Sequence, residues 1–342
     1  MNYRDASLAH WMLCTPKKVY IPSQCDIDLT NKCNQACYYC ISEEFRKEHP
    51  VTPKYKEFEE LLKKLYTWRE HSPLSTGTMQ SIAFSGGGEP TLLKGYEKLI
   101  EQSIDYGFFT SLTTNGVLLD KLLSIDDNKL RKMNWIGVDI DAGNPITYEK
   151  IRRSKTKDAF SKVMLNVQTA RNMGLPVDFK ILLGEYNSTN KELHDIFSIA
   201  QIVNIRMIYF RPVILANQSH HITAGMMKHM SFLGEKFSVK FKVNTTKTAE
   251  RSYSICHQMF NFPSFCADGN IYACCDHKGY DNFKIGEWNN SSDFREDWLN
   301  NNHRAVYNNI NTAFCPPCRS NTSNNNTQAC LDDPTLLSCL HT

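Results

Sequence analysis

Thirteen cysteines stand at positions 14, 25, 33, 37, 40, 256, 266, 274, 275, 315, 318, 330 and 339, gathered toward both ends with none from 41 to 255. The total is odd, and the start, MNYRDASLAHWMLC, has neither the basic region nor the apolar run of a secretion signal. Thiolates serving as metal ligands in a reducing compartment are therefore expected, rather than a disulfide frame. The Asn-x-Ser/Thr triplets then carry no glycan. Cys33, Cys37 and Cys40 are spaced CxxxCxxC on one short segment. A structural zinc closes on four ligands, usually in CxxC pairs, so unequal gaps and a count of three fit it poorly. Three thiolates suit a cubane iron–sulfur cluster and leave one iron open to a ligand from outside the protein. Zinc, or three cysteines that merely pack, are the alternatives.

A second set follows residue 255. Cys256-x12-Gly269-x4-Cys274 is followed by Cys315-Pro316-Pro317-Cys318. Asp268-Gly269 reads as a hairpin turn that brings Cys274 to a strand end, and the rigid Cys-Pro-Pro-Cys turn holds two thiols at fixed separation. Four soft ligands, Cys256, Cys274, Cys315 and Cys318, are expected to converge, with Cys266 as a substitute for Cys256. A zinc ribbon fits the same residue types. Cys266, Cys275, Cys330 and Cys339 are left over, and His277 reads as a surface histidine or a spare ligand.

Between the two sets, apolar β-branched runs alternate with amphipathic patterns, the reading of repeated β/α units. Strands are predicted at Cys25–Thr30, Ser81–Ser85, Phe108–Thr114, Trp135–Asp141, Val177–Leu183 and Ile205–Arg211. Helix faces are predicted on Phe58/Leu61/Leu62/Leu65, Tyr96/Leu99/Ile100/Ile104, Phe160/Val163/Val167/Ala170 and Leu193/Ile196/Phe197/Ala200. Asn144-Pro145 supplies a helix start, and Thr189-x-x-Glu192 a capping box. The fold class expected is α/β, a partial (β/α)6 TIM-like barrel with a small cysteine-rich C-terminal α+β domain. The divisions are 1–20 (extension), 21–235 (barrel) and 236–342 (connector and cysteine-rich domain), with 212–255 a mixed connector and Asn321–Gln328 a loop.

The cysteine loop behind the first strand resembles that of the radical S-adenosylmethionine (SAM) superfamily, and the likeness covers roughly residues 21–215. Three later segments match in chain order. Gly86-Gly87-Gly88-Glu89-Pro90 is similar to the family's GGEP stretch, which binds the SAM amino group. Thr113-Thr114-Asn115-Gly116 is similar to its TNG stretch, and Asp139-Ile140-Asp141-Ala142-Gly143 to its fourth-strand segment, with Asp139 where many members carry serine. The resemblance implies that Cys33, Cys37 and Cys40 ligate a [4Fe–4S] cluster whose open iron chelates SAM. Reductive cleavage then gives a 5′-deoxyadenosyl radical that abstracts a substrate hydrogen. SAM contacts are expected from Tyr39, Gly86, Gly87, Gly88, Glu89, Thr114, Asn115, Asp139, Asp141 and Lys180, with Arg152 or Arg153 competing for the SAM carboxylate and Arg211 facing substrate. The C-terminal pattern resembles the SPASM/twitch extension. After Cys318 a two-cluster form would place its next cysteine at Asn324, so one auxiliary cluster on Cys256, Cys274, Cys315 and Cys318 is expected.

Composition agrees with an enzyme core. Lys+Arg 39 against Asp+Glu 36 leaves +3, without a basic block of the kind that tracks phosphate backbones, and no apolar run approaches a membrane span. A soluble cytoplasmic protein is expected, with no nucleic-acid partner evident, no membrane partner, and an electron donor such as flavodoxin or ferredoxin. The family implies substrates from ribosomal peptides to carbohydrate-like metabolites. The short stretch before the first strand favours a small molecule or short peptide. A zinc-binding structural or regulatory protein and a two-cluster electron carrier are the competing classes.

Overall fold

The computed structural model describes residues 3–14, 20–70, 79–215, 218–219, 221–244, 251, 253–290, 293–315, 318 and 320–340, with backbone alone at 3, 215, 218, 219, 297, 314 and 338–340. The strands are β1 (Gln24–Asp28), β2 (Ser81–Ser85), β3 (Phe109–Thr114), β4 (Trp135–Asp139), β5 (Val177–Leu183), β6 (Ile208–Pro212), β7 (Ile214–Leu215), β8 (Gln218–Ser219), β9 (Phe241–Val243), β10 (Ser264–Phe265), β11 (Asn270–Tyr272) and β12 (Lys284–Glu287). The helices are α1 (Tyr3–Cys14), α2 (Glu43–Glu48), α3 (Tyr55–Glu70), α4 (Tyr96–Asp105), α5 (Asp127–Leu130), α6 (Pro145–Arg152), α7 (Ala159–Asn172), α8 (Asn190–Ile202), α9 (Ala224–Phe237), α10 (Phe294–Asp297), α11 (Asn301–Asn309) and α12 (Asn321–Asp332). These form two compact units, one of Met1–Asp28, Thr52–Ala83 and Thr246–Thr342, the other of Leu29–Val51 and Phe84–Thr245.

In the second unit β3, β4, β5, β6 and β9 are successive parallel neighbours with helices between them in the chain, the α/β partial-barrel class expected. The helices bury the faces that their three- and four-residue spacing predicts: Leu99, Ile100 and Ile104 on α4, Val163, Val167 and Ala170 on α7, Leu193, Ile196 and Phe197 on α8. Each strand turns Val138, Phe179, Ile208 or Phe210 into that layer, where Phe197 lies 5.8 Å from Phe210 and 5.6 Å from Phe241. Burying each such ring contributes about 1.5–3 kcal/mol. The alternate strand positions, Asp139, Lys180, Tyr209 and Arg211, are only half buried, so polar chemistry collects on the other face.

Two helix starts are built as expected. Asn144 accepts from the Thr147 amide at 3.0 Å, and Thr189 from the Glu192 amide at 3.2 Å. The capping box is half formed, because the Glu192 carboxylate instead accepts from Thr147 Oγ1 at 2.5 Å and Asn144 Nδ2 at 2.8 Å, tying α8 to α6. The connector expected over 212–255 is corrected: α9, capped by Thr223, leads into β9, which extends the parallel sheet beside β6. Three residues, Phe241, Lys242 and Val243, are too few to show a strand period.

In the first unit β1 pairs parallel with β10, and β10, β11 and β12 follow antiparallel. The Asp268-Gly269 turn is present: Gly269 has φ +89, and Asp268 accepts from the Asn270 amide at 3.2 Å and Tyr272 Oη at 2.7 Å. The loop expected at Asn321–Gln328 is instead α12. Asn, Ser and Thr are weak helix formers, and tertiary hydrogen bonds outweigh that preference. Asn324 Oδ1 accepts from the Gln258 amide at 3.0 Å, Thr327 Oγ1 accepts from Gln258 Nε2 at 3.0 Å, and Gln328 meets His257 Nε2 at 2.9 Å. On the other side Cys330 packs with Ala6 and Ala9 of α1. No helix among the described residues is long and apolar enough to cross a membrane.

His303 yields a pH prediction. It is fully buried between Phe260 and Trp298, its Nδ1 accepts from the Leu299 amide at 3.1 Å, and burial lowers its pKa from 6.5 to about 3. A proton on Nδ1 would break that bond, so the unfolded chain binds the proton more readily than the folded one. The stability this residue contributes is complete above pH 6.5 and falls as the pH drops toward 3. Between pH 7 and 5 the loss should reach about 2 kcal/mol. Urea unfolding of wild type against His303→Phe should show the acid-side slope flattened in the variant; equal slopes would refute this.

Candidate active site

The first cysteine loop lies wholly within the second unit. Cys33, Cys37 and Cys40 are free thiols of intermediate burial. Their backbone is fastened at several points: Ala36 and Tyr38 amides donate to Arg152 and Ile151 carbonyls at 3.2 and 2.9 Å, and the Lys155 amide donates to the Asn34 carbonyl at 3.0 Å. Arg46 reaches Cys40 Sγ at 3.5 Å. Burial pushes Cys37 up to about 11 and also raises Cys33, opposed in both by the Arg152 guanidinium. Burial thus disfavours the Cys33 and Cys37 thiolates, and a cationic metal is what would draw off their protons.

Gly86–Pro90 packs on the root of that loop, with the Gly88 and Glu89 amides donating to the Thr30 and Lys32 carbonyls at 2.8 and 2.9 Å. The glycines answer to this contact: a Cβ on Gly88 would lie 2.0 Å from the Lys32 carbonyl oxygen, and one on Gly87 2.3 Å from Asn31 Oδ1. Gly88→Ala should therefore cost about 1–3 kcal/mol through overpacking and lower iron retention after reconstitution, read by unfolding and iron assay. An unfolding midpoint within error of wild type would contradict it.

Glu89 is buried with both carboxylate oxygens engaged. Oε1 accepts from Thr114 Oγ1 at 2.6 Å and Thr91 Oγ1 at 2.7 Å, and Oε2 from the Asn115 amide at 2.8 Å. Asn115 Nδ2 donates to Asn34 Oδ1 at 2.7 Å. The segments read as GGEP and TNG thus meet each other and the cysteine loop. Glu89 acts as their tie.

The charged candidates are paired. Lys180 Nζ lies 3.1 Å from Asp139, and both are partly open to solvent. Asp141, fully buried with φ +55, accepts from Arg152 at 2.6 Å and from the Leu182 amide at 2.6 Å. Burial raises Asp141 despite Arg152. Arg152 also donates to Gln35 Oε1 at 2.8 Å, so it is committed to bracing the cysteine loop, while Arg153 lies over Tyr38. Tyr39 is buried with its hydroxyl 3.5 Å from the Leu182 carbonyl. Gln35 was invisible as a site residue in the sequence, where only its place between cysteines pointed to it.

In the first unit Cys256, Cys274, Cys315 and Cys318 line one pocket, together with Arg251, Tyr253, Asp276, His277 and Asn324. Cys256 receives Asn324 Nδ2 at 3.8 Å and is pushed up to about 12 by burial, and Cys318 Sγ accepts from the Ser320 amide at 3.3 Å. Arg251 donates to the Thr312 and Cys315 carbonyls, holding the approach to the CPPC turn. Pro316 and Pro317 lie outside the described residues, as does the side chain of Cys339. Cys274, Cys275 and Asp276 also hold ligand atoms within 4.8 Å of one another. Cys266 is not among the residues lining this pocket: it is fully buried beside Asp28, whose carboxylate is paired with Lys278 at 2.5 Å. Cys330 belongs to an apolar cluster. Four thiols lining one pocket form a donor set that fits an auxiliary cluster.

Residues 27–198 match the Radical SAM superfamily, half of the chain. The chain belongs to the radical SAM superfamily. Radical SAM enzymes carry a [4Fe–4S] cluster and SAM, and the three half-buried thiols on the braced loop are the residues here with the chemistry to hold that cluster. Among curated relatives, a probable GTP 3′,8-cyclase of Methanococcus maripaludis is 30% identical over 57% of this chain and 61% of its own. An S-adenosylmethionine-dependent nucleotide dehydratase of Selenomonas ruminantium is 27% identical over 36% and 40%. The chain spans about three-fifths or less of those relatives. Among solved folds, Streptococcus suis SuiB bound to S-adenosylmethionine superposes with TM-score 0.64 at 12% identity over 85% of this chain and 69% of that one. Native anSMEcpe with bound AdoMet superposes with TM-score 0.59 at 16% identity over 89% and 88%.

Proposed function

We propose that this radical SAM enzyme cleaves SAM reductively at the Cys33/Cys37/Cys40 cluster, abstracts hydrogen from a small metabolite or peptide, and uses an auxiliary cluster on Cys256, Cys274, Cys315 and Cys318 to take up an electron. The observation that carries this reading is the meeting of the cysteine loop, Gly86–Pro90 and Thr114–Asn115 around the Glu89 carboxylate. When bound, the cluster and SAM supply the electron transfer and the radical. The chain's own residues supply position. Glu89 holds the ends of two strands in register with the loop, Arg152 and Gln35 stiffen its far side, and Asp139 with Lys180 offers a polar pair at the mouth. The names of the curated relatives favour nucleotides and the solved SuiB complex with precursor peptide favours a peptide. Either substrate would be met on the half-buried strand face, with flavodoxin or ferredoxin supplying the electron. Anaerobically reconstituted protein given SAM and dithionite should release 5′-deoxyadenosine; a brown, cluster-loaded protein that releases none would refute the reading in favour of an electron carrier.

A further inference from the structure

The open face of β4, β5, β6 and β9 carries a charge pattern that selects among substrates. Register places Asp139 beside Lys180, Lys180 beside Tyr209, and Tyr209 beside Lys242, with Arg211 beside Leu182 one rung further toward the strand ends. Side chains paired across parallel strands share a face, so these residues look the same way, opposite the buried Phe179, Ile208 and Phe210. Every acid on these strands is already matched: Asp139 with Lys180 at 3.1 Å and Asp178 with Arg206 at 2.7 Å, while Asp141 just beyond β4 pairs with Arg152 at 2.6 Å. Arg211 is half buried and Lys242 exposed, and neither has an ion-pair or side-chain hydrogen-bond partner among the described residues. Among the described residues, two cations on this face therefore remain without an ion-pair partner.

Their spacing is informative. One strand across is about 4.8 Å and two residues along about 6.6 Å, which sets the two Cα atoms roughly 8 Å apart. A single carboxylate would satisfy one of them. A phosphate ester or polyphosphate carries several charged oxygens over that distance, and the guanidinium fork with a point-charge ammonium is a fitting pair for it. Tyr209 adjoins both, across the ladder from Lys242 and two residues before Arg211, with its ring edge-on to Trp135, centroids 6.3 Å apart, offering an aromatic flank to the organic part. Resting on the function proposed above, we infer that the substrate is a phosphorylated small molecule, its phosphate held by Arg211 and Lys242 and its organic part laid toward Tyr209 and Trp135.

The test uses the anaerobically reconstituted full chain in equilibrium dialysis with GTP, inorganic triphosphate, guanosine and a glutamate-rich peptide. GTP and triphosphate should bind, more weakly as salt rises, and guanosine should bind at least about 100-fold more weakly than GTP. Arg211→Ala and Lys242→Ala should each weaken GTP binding about tenfold or more, the loss of one charge-assisted contact. Arg211→Lys should recover part of the loss, which a folding defect would not allow. Guanosine binding as well as GTP, no binding of triphosphate, unchanged affinity in Arg211→Ala, or tighter binding of the acidic peptide would each overturn the assignment. Binding needs no turnover, so a failure of SAM cleavage is read separately.

Discussion

Replacing Cys33, Cys37 and Cys40 together with alanine should lower iron and acid-labile sulfide from about eight to about four atoms per chain and abolish 5′-deoxyadenosine formation. The size of the effect follows from the ligand chemistry. A cubane has no other thiolates to retreat to on this loop, and burial already holds Cys37 and Cys33 above the usual thiol range, so only the metal makes their ionisation favourable. Four atoms should remain because Cys256, Cys274, Cys315 and Cys318 line a separate pocket. A fall from four to none would show that the second pocket holds no iron, leaving it to zinc or to no metal. Stoichiometric zinc and no iron in the reconstituted wild type would refute the enzymatic assignment of both sites.

Arg152→Met should destabilise the second unit by about 3–5 kcal/mol, because it strands a carboxylate in the interior. The Arg152 and Asp141 side chains are 8% and 1% exposed and meet at 2.6 Å. Arg152 also holds Gln35, so the cysteine loop loses a brace in the same substitution. Asp141→Asn with Arg152→Met should recover most of the loss, since asparagine tolerates the φ of +55 at position 141 and carries no charge to bury. Hydrogen exchange of the β4 and α6 amides reports the local opening and avoids a whole-chain two-state assumption. A single variant within about 1 kcal/mol of wild type would show that water reaches the pair.

The parallel strands and helix faces between residues 96 and 212 were legible because a buried helix face repeats every three or four residues and a strand every two, patterns written in consecutive residues. Glu192 shows the limit. Its place three residues after Thr189 predicts a reciprocal cap, yet Thr147 and Asn144 of another helix take its carboxylate. The same holds for Asn321–Gln328, a loop by composition and a helix because Gln258 and His257 satisfy its polar face.

What the sequence determined by itself was the ligand inventory and the order of the segments that serve it: three thiols behind the first strand, a glycine-rich turn behind the second, polar residues ending the third and fourth. Ligand type and spacing are local properties. Only the tertiary structure decided which charges are spent. Glu89 is held by Thr91, Thr114 and Asn115, Asp141 by Arg152, and Asp139 by Lys180, which leaves Arg211 and Lys242 without such partners among the described residues. It also decided that Cys256, and not Cys266, shares a pocket with Cys274, Cys315 and Cys318. Pairing and desolvation depend on distance through space between segments far apart in the chain, and no periodicity in the sequence records that distance.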